Sequence, residues 1–502
     1  MDRLNKKELL ALEALPRDVT IGDYALENVQ PGIVHFGVGN FHRGHQARYV
    51  DDLLTRNHFT WGIIGISMQS SQARDKLAPQ DFIYTEVTLG ETIKIKIIRS
   101  ILDILVAPEN PSKVVEQISD QCIKLVTITI TEKGYYLSKG KPNLHHPSLI
   151  SDMNSLSRPA TIYGYLTAAI IRRRNGCSEP LSIVCCDNLQ GGGNYLRKGV
   201  QELLAIHDPT SLAWSRSHVS FSSSMVDRVT PSTDSNLRQL VASKLGLDDF
   251  WPVSGEPFSQ WVIENNFAAE RPPLDLVGVV FSNDIKFYEQ IKLRFLNSGH
   301  SIVAVLGYLI DKENIHETLE EPAIFGFLRE VLLKVVLPAT EMPNNFYCEN
   351  YIEEVLERFQ NRALPYKLQQ VNTDSSQKIQ QRWFPAIDAA IAKKISVTPM
   401  SLVIAAWVVH VEKALGEKKL NDPLENEFYK ALARDSERDT ARNISRDKVY
   451  DFLILAGAEN FLFFKLDDFI ESVINYYKKI KAGNVTQILS HFLTQPSLDM
   501  RN

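Results

Sequence analysis

The sequence predicts two domains, an α/β N-terminal domain followed by a mostly α-helical C-terminal domain. Three observations predict them: apolar runs rich in β-branched residues through the first half, a glycine pair directly after the first run, and helical periodicity from about Asp284 onward. At 502 residues the chain exceeds one ordinary core, so a second is expected.

The runs are Gly32-Ile33-Val34-His35-Phe36-Gly37, Trp61 to Ser67, Ile123 to Ile130 and Leu181 to Asp187. None alternates cleanly, as expected for central parallel strands covered on both faces. Thr92 to Ile101 also reads as extended and is expected to add an antiparallel piece. Past Asp284, helical spacing marks Phe287–Leu309, Ala323–Val336, Tyr351–Phe359 and Met400–Leu415, while Pro399 and Asp422-Pro423 mark turns.

Composition narrows the class. Hydrophobic residues at 44% and charged residues at 23% fit an ordinary globular protein. A net charge of -5 without a dense Lys/Arg stripe gives no field for nucleic acid. No run is expected to span a bilayer, and the first residues lack the apolar segment of a signal peptide, so the expected compartment is the cytoplasm. The five cysteines, Cys122, Cys177, Cys185, Cys186 and Cys348, form no CxxC pair and read as reduced thiols, with no metal site. The expected assembly is a monomer or weak homo-oligomer.

After the first run comes Gly37-Val38-Gly39-Asn40-Phe41-His42-Arg43-Gly44-His45. Glycines between a buried strand and a helix let a pyrophosphate approach the backbone at a helix N-terminus, and Arg43 could add a contact to phosphate. The third glycine of the G-x-G-x-x-G pattern is replaced by His42, so a plain strand–helix turn is the alternative. Residues 1–283 thus read as a Rossmann-like dinucleotide-binding domain, with Gly37, Gly39, Phe41 and Arg43 at the cofactor, and 284–502 as a helical substrate and catalytic domain. No acid follows the second run until Asp75, and Arg74 is nearby; NAD is expected, with NADP open.

The segment Glu289 to Ser301 carries polar groups in an otherwise apolar helix. At ~100° per residue, Glu289, Lys292, Asn297 and His300 fall within about 140° of arc. Burial would lower the Lys292 pKa toward that of a useful base, Asn297 could hydrogen-bond a developing alkoxide, and His300 a substrate hydroxyl. A partly solvated helix with one buried histidine is the alternative.

Six motifs then occur in order: Gly37-x-Gly39-x-Phe41-His42-Arg43, Thr129 to Tyr135, Cys186-Asp187-Asn188, Met225 to Pro231, Glu256 to Val262, and Lys292-Leu293-Arg294-x-Leu296-Asn297-x-Gly299-His300-Ser301. Together they resemble the polyol-specific long-chain dehydrogenases, the family of mannitol 2-dehydrogenase and fructuronate reductase. The resemblance implies an NAD(P)-dependent, metal-independent enzyme that moves a hydride between the cofactor and a secondary alcohol of a six-carbon sugar derivative. It implies Lys292 as the general base, Asn188 and Asn297 as oxyanion donors, His300 orienting the reacting hydroxyl, and Glu289 on the proton path. Asp227 and Lys378 would contact more distant substrate hydroxyls.

Two departures bear on the substrate. Mannitol 2-dehydrogenases carry an arginine where this chain has Gln370, and the run Gln377-Lys378-x-x-Gln381-Arg382 is closer to the sugar-acid branch. Arg382 could face a carboxylate. The expectation is therefore a fructuronate reductase (D-mannonate/D-fructuronate), with mannitol 2-dehydrogenase (D-mannitol/D-fructose) as the alternative. Tyr135-x-x-x-Lys139 matches the short-chain dehydrogenase signature by chance in a chain with 17 Tyr. A non-catalytic dinucleotide sensor on the same fold is a remote alternative, opposed by the complete Lys292, Asn297 and His300 set.

Overall fold

A computed structural model describes residues 2–138, 140–342, 348–436 and 444–494, in two compact units, Met1–Glu289 and Gln290–Asn502. The first unit is built on an eight-stranded sheet of β1 (Pro31–Phe36), β2 (Gly62–Ser67), β3 (Ile101–Val106), β4 (Leu125–Ile128), β5 (Leu181–Cys185), β6 (Val219–Asp227), β7 (Gln260–Glu264) and β8 (Val280–Ser282). Its spatial order is β3-β2-β1-β4-β5-β6-β7-β8, and every pairing is parallel except β6 with β7. The order of the first six strands is that of a doubly wound Rossmann sheet, which places its ligand crevice beyond the carboxyl ends of β1 and β4. Apolar side chains from both faces of β1, β4 and β5 are buried, which explains why these strands lack alternation.

The extended run at 92–101 divides in two. Ile93–Ile98 pairs antiparallel with Tyr84–Leu89 in a separate four-stranded sheet, with Val19–Ile21 and Val253–Gly255 at its edges, and Ile101 opens β3 of the main sheet. A buried ion pair, Arg228 to Glu86 at 2.7 Å, joins the segment after β6 to this second sheet.

Beyond β1 the chain turns at Gly37, whose φ of +98° is open to glycine alone. A Cβ there would lie 1.8 Å from the Thr129 carbonyl oxygen beyond β4. One helix was expected next. The structure has two, α1 (Asn40–Gly44) and α2 (Gln46–Leu54), separated at His45 by non-helical backbone. Helix α3 (Gln72–Leu77) follows β2. Beneath the turn, the fully buried His35 bonds Thr127 Oγ1 at 2.7 Å, Thr129 Oγ1 at 2.9 Å and the Gly37 carbonyl at 3.2 Å, and its ring stacks on that of His42 at 3.4 Å.

The second unit is helical. The segment expected as one helix over 287–309 runs as α4 (Ile285–Ile291), a π turn over Lys292–Asn297, and α5 (Ser298–Leu309). A second π turn, Leu332–Val336, interrupts the helical stretch of 322–339. Helix α6 (Ser375–Arg382) starts where Asp422 accepts from the Ser376 N–H at 2.9 Å and its hydroxyl at 2.6 Å. Helix α7 (Thr398–Gly416) corrects the expectation that no segment could span a bilayer, since by length and composition it could. However, 83% of its apolar stretch is buried, and the core helix of a globular unit has that same composition.

Two outcomes follow for the turn after β1. Gly37→Ala should cost at least about 2 kcal/mol, from left-handed strain plus the backbone clash, and should lower dinucleotide affinity with it; thermal unfolding and fluorescence titration measure both. Burial pushes the His35 imidazole down to about 3. Between there and its unfolded pKa of about 6.5 only the unfolded chain holds the proton, so stability is full above that interval and is lost as pH falls through it. Wild-type stability should therefore fall relative to His35→Asn by roughly 1.4 kcal/mol per pH unit below about pH 6.5, as read from denaturant midpoints.

Candidate active site

In the first unit the glycine loop leaves bare backbone at the start of α1. Gly39 caps α1 without any side-chain bond to the first-turn amides, and a Cβ on it would meet nothing nearer than 4.0 Å, so the backbone there is open to approach. Phe41 is half-buried and stacks on His45 at 4.9 Å. Arg43, expected at a phosphate, is instead fully buried. It donates to the Trp251 carbonyl and, at 2.7 Å, to Asn40 Oδ1, and lies 3.6 Å over the Trp251 ring. A guanidinium so enclosed braces α1 rather than presenting charge to a ligand. After β2, Arg74 pairs with Asp75 and Glu109.

The loop after β4 is fixed by Asp187, which lies just beyond β5. Its carboxylate accepts from the Ile130 N–H at 3.0 Å, the Thr131 N–H at 2.8 Å and the Tyr135 hydroxyl at 2.6 Å. Burial raises its pKa, while these donors pull it down. Thr131 thereby holds a φ of +66°. Tyr135 is thus a buried structural residue, and Lys139 of the Y-x-x-x-K match lies outside the described residues. Asn188 follows Asp187 with an exposed side chain, and the Glu289 carboxylate accepts from the N–H of Gly191 in the same loop at 3.1 Å. Asp227 closes β6, buried opposite Gln260.

In the second unit the π turn changes the geometry expected for the polar segment. A regular helix spreads Lys292, Asn297 and His300 over about 140°. One residue inserted by the π turn rotates everything after it back by about 100°, which gathers the three within about 60°. The Ser298 N–H reaching back to the Leu293 carbonyl marks the wide ring. Lys292 and Asn297 are half-buried. The His300 imidazole is sandwiched between the rings of Phe359, at 4.8 Å and 16°, and Tyr366, at 4.7 Å and 26°. Burial, then the charges of Arg382, Arg358 and Lys378, hold its pKa well below the ordinary histidine range.

Arg382 stands beside this segment. Its Nη1 donates to the Asn297 carbonyl at 3.0 Å and to Ser301 Oγ at 2.6 Å. Lys378 donates to the Val371 carbonyl at 2.9 Å. Phe359 and Tyr366 as the walls of His300, and Asp422 as the anchor of α6, were not legible in the sequence, because each comes from a distant stretch of chain. Among the described residues, no three His, Cys, Asp or Glu side chains are gathered as a metal site would need.

Comparison with known proteins identifies the family. Residues 31–276 match the mannitol dehydrogenase Rossmann domain, and residues 284–461 the mannitol dehydrogenase C-terminal domain. A polyol:NADP oxidoreductase of Gluconobacter oxydans is 32% identical over 441 residues, 86% of this chain and 91% of that protein. A mannitol 2-dehydrogenase of Pyricularia oryzae is 34% identical over 444 residues, 85% and 88% of the two chains. Of solved structures, a substrate-free D-sorbitol dehydrogenase superposes with a TM-score of 0.85 at 28% identity, covering 97% of this chain and all of that one. The Pseudomonas fluorescens mannitol 2-dehydrogenase complex with NAD and D-mannitol gives 0.80 at 30% identity, covering 98% and 100%. The chain belongs to the mannitol dehydrogenase family of oxidoreductases that act on alcohol groups.

Proposed function

We propose that the protein is an NAD(P)-dependent dehydrogenase interconverting a six-carbon polyol and its 2-ketose, with D-mannitol and D-fructose as the first pair to test. The observation that carries this is the stripe formed by Lys292, Asn297 and a neutral His300 on one helix. When bound, the nicotinamide accepts or supplies the hydride. Lys292 takes the proton from the alcohol during oxidation and returns it during reduction. The amides of Asn297 and Asn188 donate to the oxygen as negative charge develops on it. His300, held neutral, hydrogen-bonds the reacting hydroxyl without competing for the proton, and Asp227 and Lys378 hold more distant hydroxyls. Glu289 relays the proton onward from Lys292. Gly37, Gly39 and Phe41 form the cofactor loop.

The neutral pair is favoured by the relatives named mannitol 2-dehydrogenase and by Arg382, whose Nη1 is engaged by protein acceptors. A second reading, D-fructuronate and D-mannonate, is favoured by the three cations, Arg382, Arg358 and Lys378, that act on His300. Rates with fructose and with fructuronate, each with NADH and NADPH, decide between them. A larger kcat/KM for fructuronate would reverse the order, and cofactor binding without turnover on any hexose derivative would leave a sensor.

Lys292→Ala should abolish turnover while dinucleotide affinity stays near wild type; a variant that retains kcat would remove Lys292 as the base. Asn297→Ala and Asn188→Ala should each lower the rate of ketose reduction by roughly 10²-fold or more, as loss of an oxyanion donor does.

A further inference from the structure

The π turn over Lys292–Asn297 requires something outside the helix to hold it. A ring closed by five residues has poorer packing and hydrogen-bond geometry than one closed by four, and such turns survive as single insertions at functional sites. The exit of this one is gripped from α6. Arg382 Nη1 donates to the Asn297 carbonyl at 3.0 Å and to Ser301 Oγ at 2.6 Å. Trp383 Nε1 donates to the next carbonyl, that of Ser298, at 3.3 Å, and the Ser298 hydroxyl donates back to the Arg382 carbonyl at 3.2 Å. The brace is itself fixed: the buried Asp422 carboxylate holds the start of α6 through Ser375 and Ser376, and Trp407 Nε1 donates to the Ser375 hydroxyl at 3.2 Å.

We propose that Arg382 is a positioning residue that clamps the exit of the π turn at Asn297 and Ser301, and so sets Lys292, Asn297 and His300 on one stripe. The role rests on the proposed reaction. Arg382 acts through the residues it holds, so its loss lowers the rate of the chemical step more than the strength of substrate binding. Lysine substitutes poorly for it: both bonds leave the one Nη1, which the planar guanidinium holds in a fixed place, whereas a lysine ammonium sits on a shorter, flexible and more strongly hydrated stem. The groups that act on His300 are the cations Arg382, Arg358 and Lys378 and the rings of Phe359 and Tyr366, so removing one cation also lets the imidazole take a proton at higher pH.

The test uses the full-length enzyme with saturating dinucleotide and two substrates, fructose and fructuronate. Arg382→Met should lower kcat by about 10²-fold on both with KM little changed. It should move the acid limb of the rate profile to higher pH, and free guanidinium should recover part of the rate. Arg382→Lys should recover little. Hydrogen exchange across residues 292–302 should quicken in Arg382→Met while that of the α7 core stays as in wild type. Ser301→Ala, which removes one acceptor and leaves the charge, should show the same pattern more weakly; it decides the matter if Arg382→Met does not fold. A rise in KM confined to fructuronate, with kcat kept, would make Arg382 a substrate contact and overturn the clamp, as would unchanged exchange and kcat. If wild type turns over neither substrate, the proposed function fails, and the exchange measurement still judges the clamp.

Discussion

Residues 292, 297 and 300 are separated by five and three positions, and a helix of 3.6 residues per turn cannot place such a set on one narrow stripe. The π turn solves that constraint, and the end of α6 is placed to hold it. Its two exit carbonyls take side-chain donors from Arg382 and Trp383. Helix α6 can supply those donors at fixed distance because Asp422 satisfies its first turn. The two rings that flank His300 leave only the edge of the imidazole available, which is where its hydrogen-bonding nitrogens lie. A structural irregularity thus becomes the means by which three side chains share one stripe.

The first unit meets its own constraint from behind the glycine loop. The crevice beyond β1 and β4 requires backbone that a bulky phosphate can approach, and such backbone has few contacts to hold it. The supports lie behind it: His35 bridges Thr127, Thr129 and the Gly37 carbonyl, and Asp187 takes two amides and a phenol from the neighbouring loop. Thr131 holds a backbone conformation that non-glycine residues rarely adopt, and the Asp187 contacts offset that strain. Arg43 belongs to this hidden scaffold. Residues that looked like ligands from the sequence therefore include some that shape the cradle from inside.

Strands β1, β2, β4 and β5 were legible because each is a nearly continuous apolar run. β6 was not, because Ser220-Phe221-Ser222-Ser223-Ser224 reads as polar surface. Its serines are buried by satisfying one another's surroundings: Ser222 donates to the Asn266 carbonyl, Ser224 to that of Cys185, and Ser223 accepts from the Gly193 amide. The candidate residues on the helix after residue 284 were legible by type and order. Their angular arrangement was not, because the π turn depends on an arginine 85 residues further along the chain. The same distance effect hid Tyr366 and Phe359, which are ordinary aromatic residues until the fold sets them against His300.

The electrostatics around His300 also bear on what kind of substrate the site serves. Burial with three neighbouring cations keeps the imidazole uncharged, so of the stripe's three members the lysine is the one suited to carry the proton. The same field acts on any negative charge brought near it. On an alkoxide, which exists only as the bond to hydrogen breaks, the stabilisation is specific to the transition state and appears in kcat. On a carboxylate, present from binding onward, it acts on ground state and transition state alike and appears in KM. A cluster of cations at such a site is therefore not by itself a sign of an acidic substrate. A neutral polyol gains from it at the moment charge forms, and the engagement of Arg382 with Asn297 and Ser301 fits that use better than direct recognition of an acid.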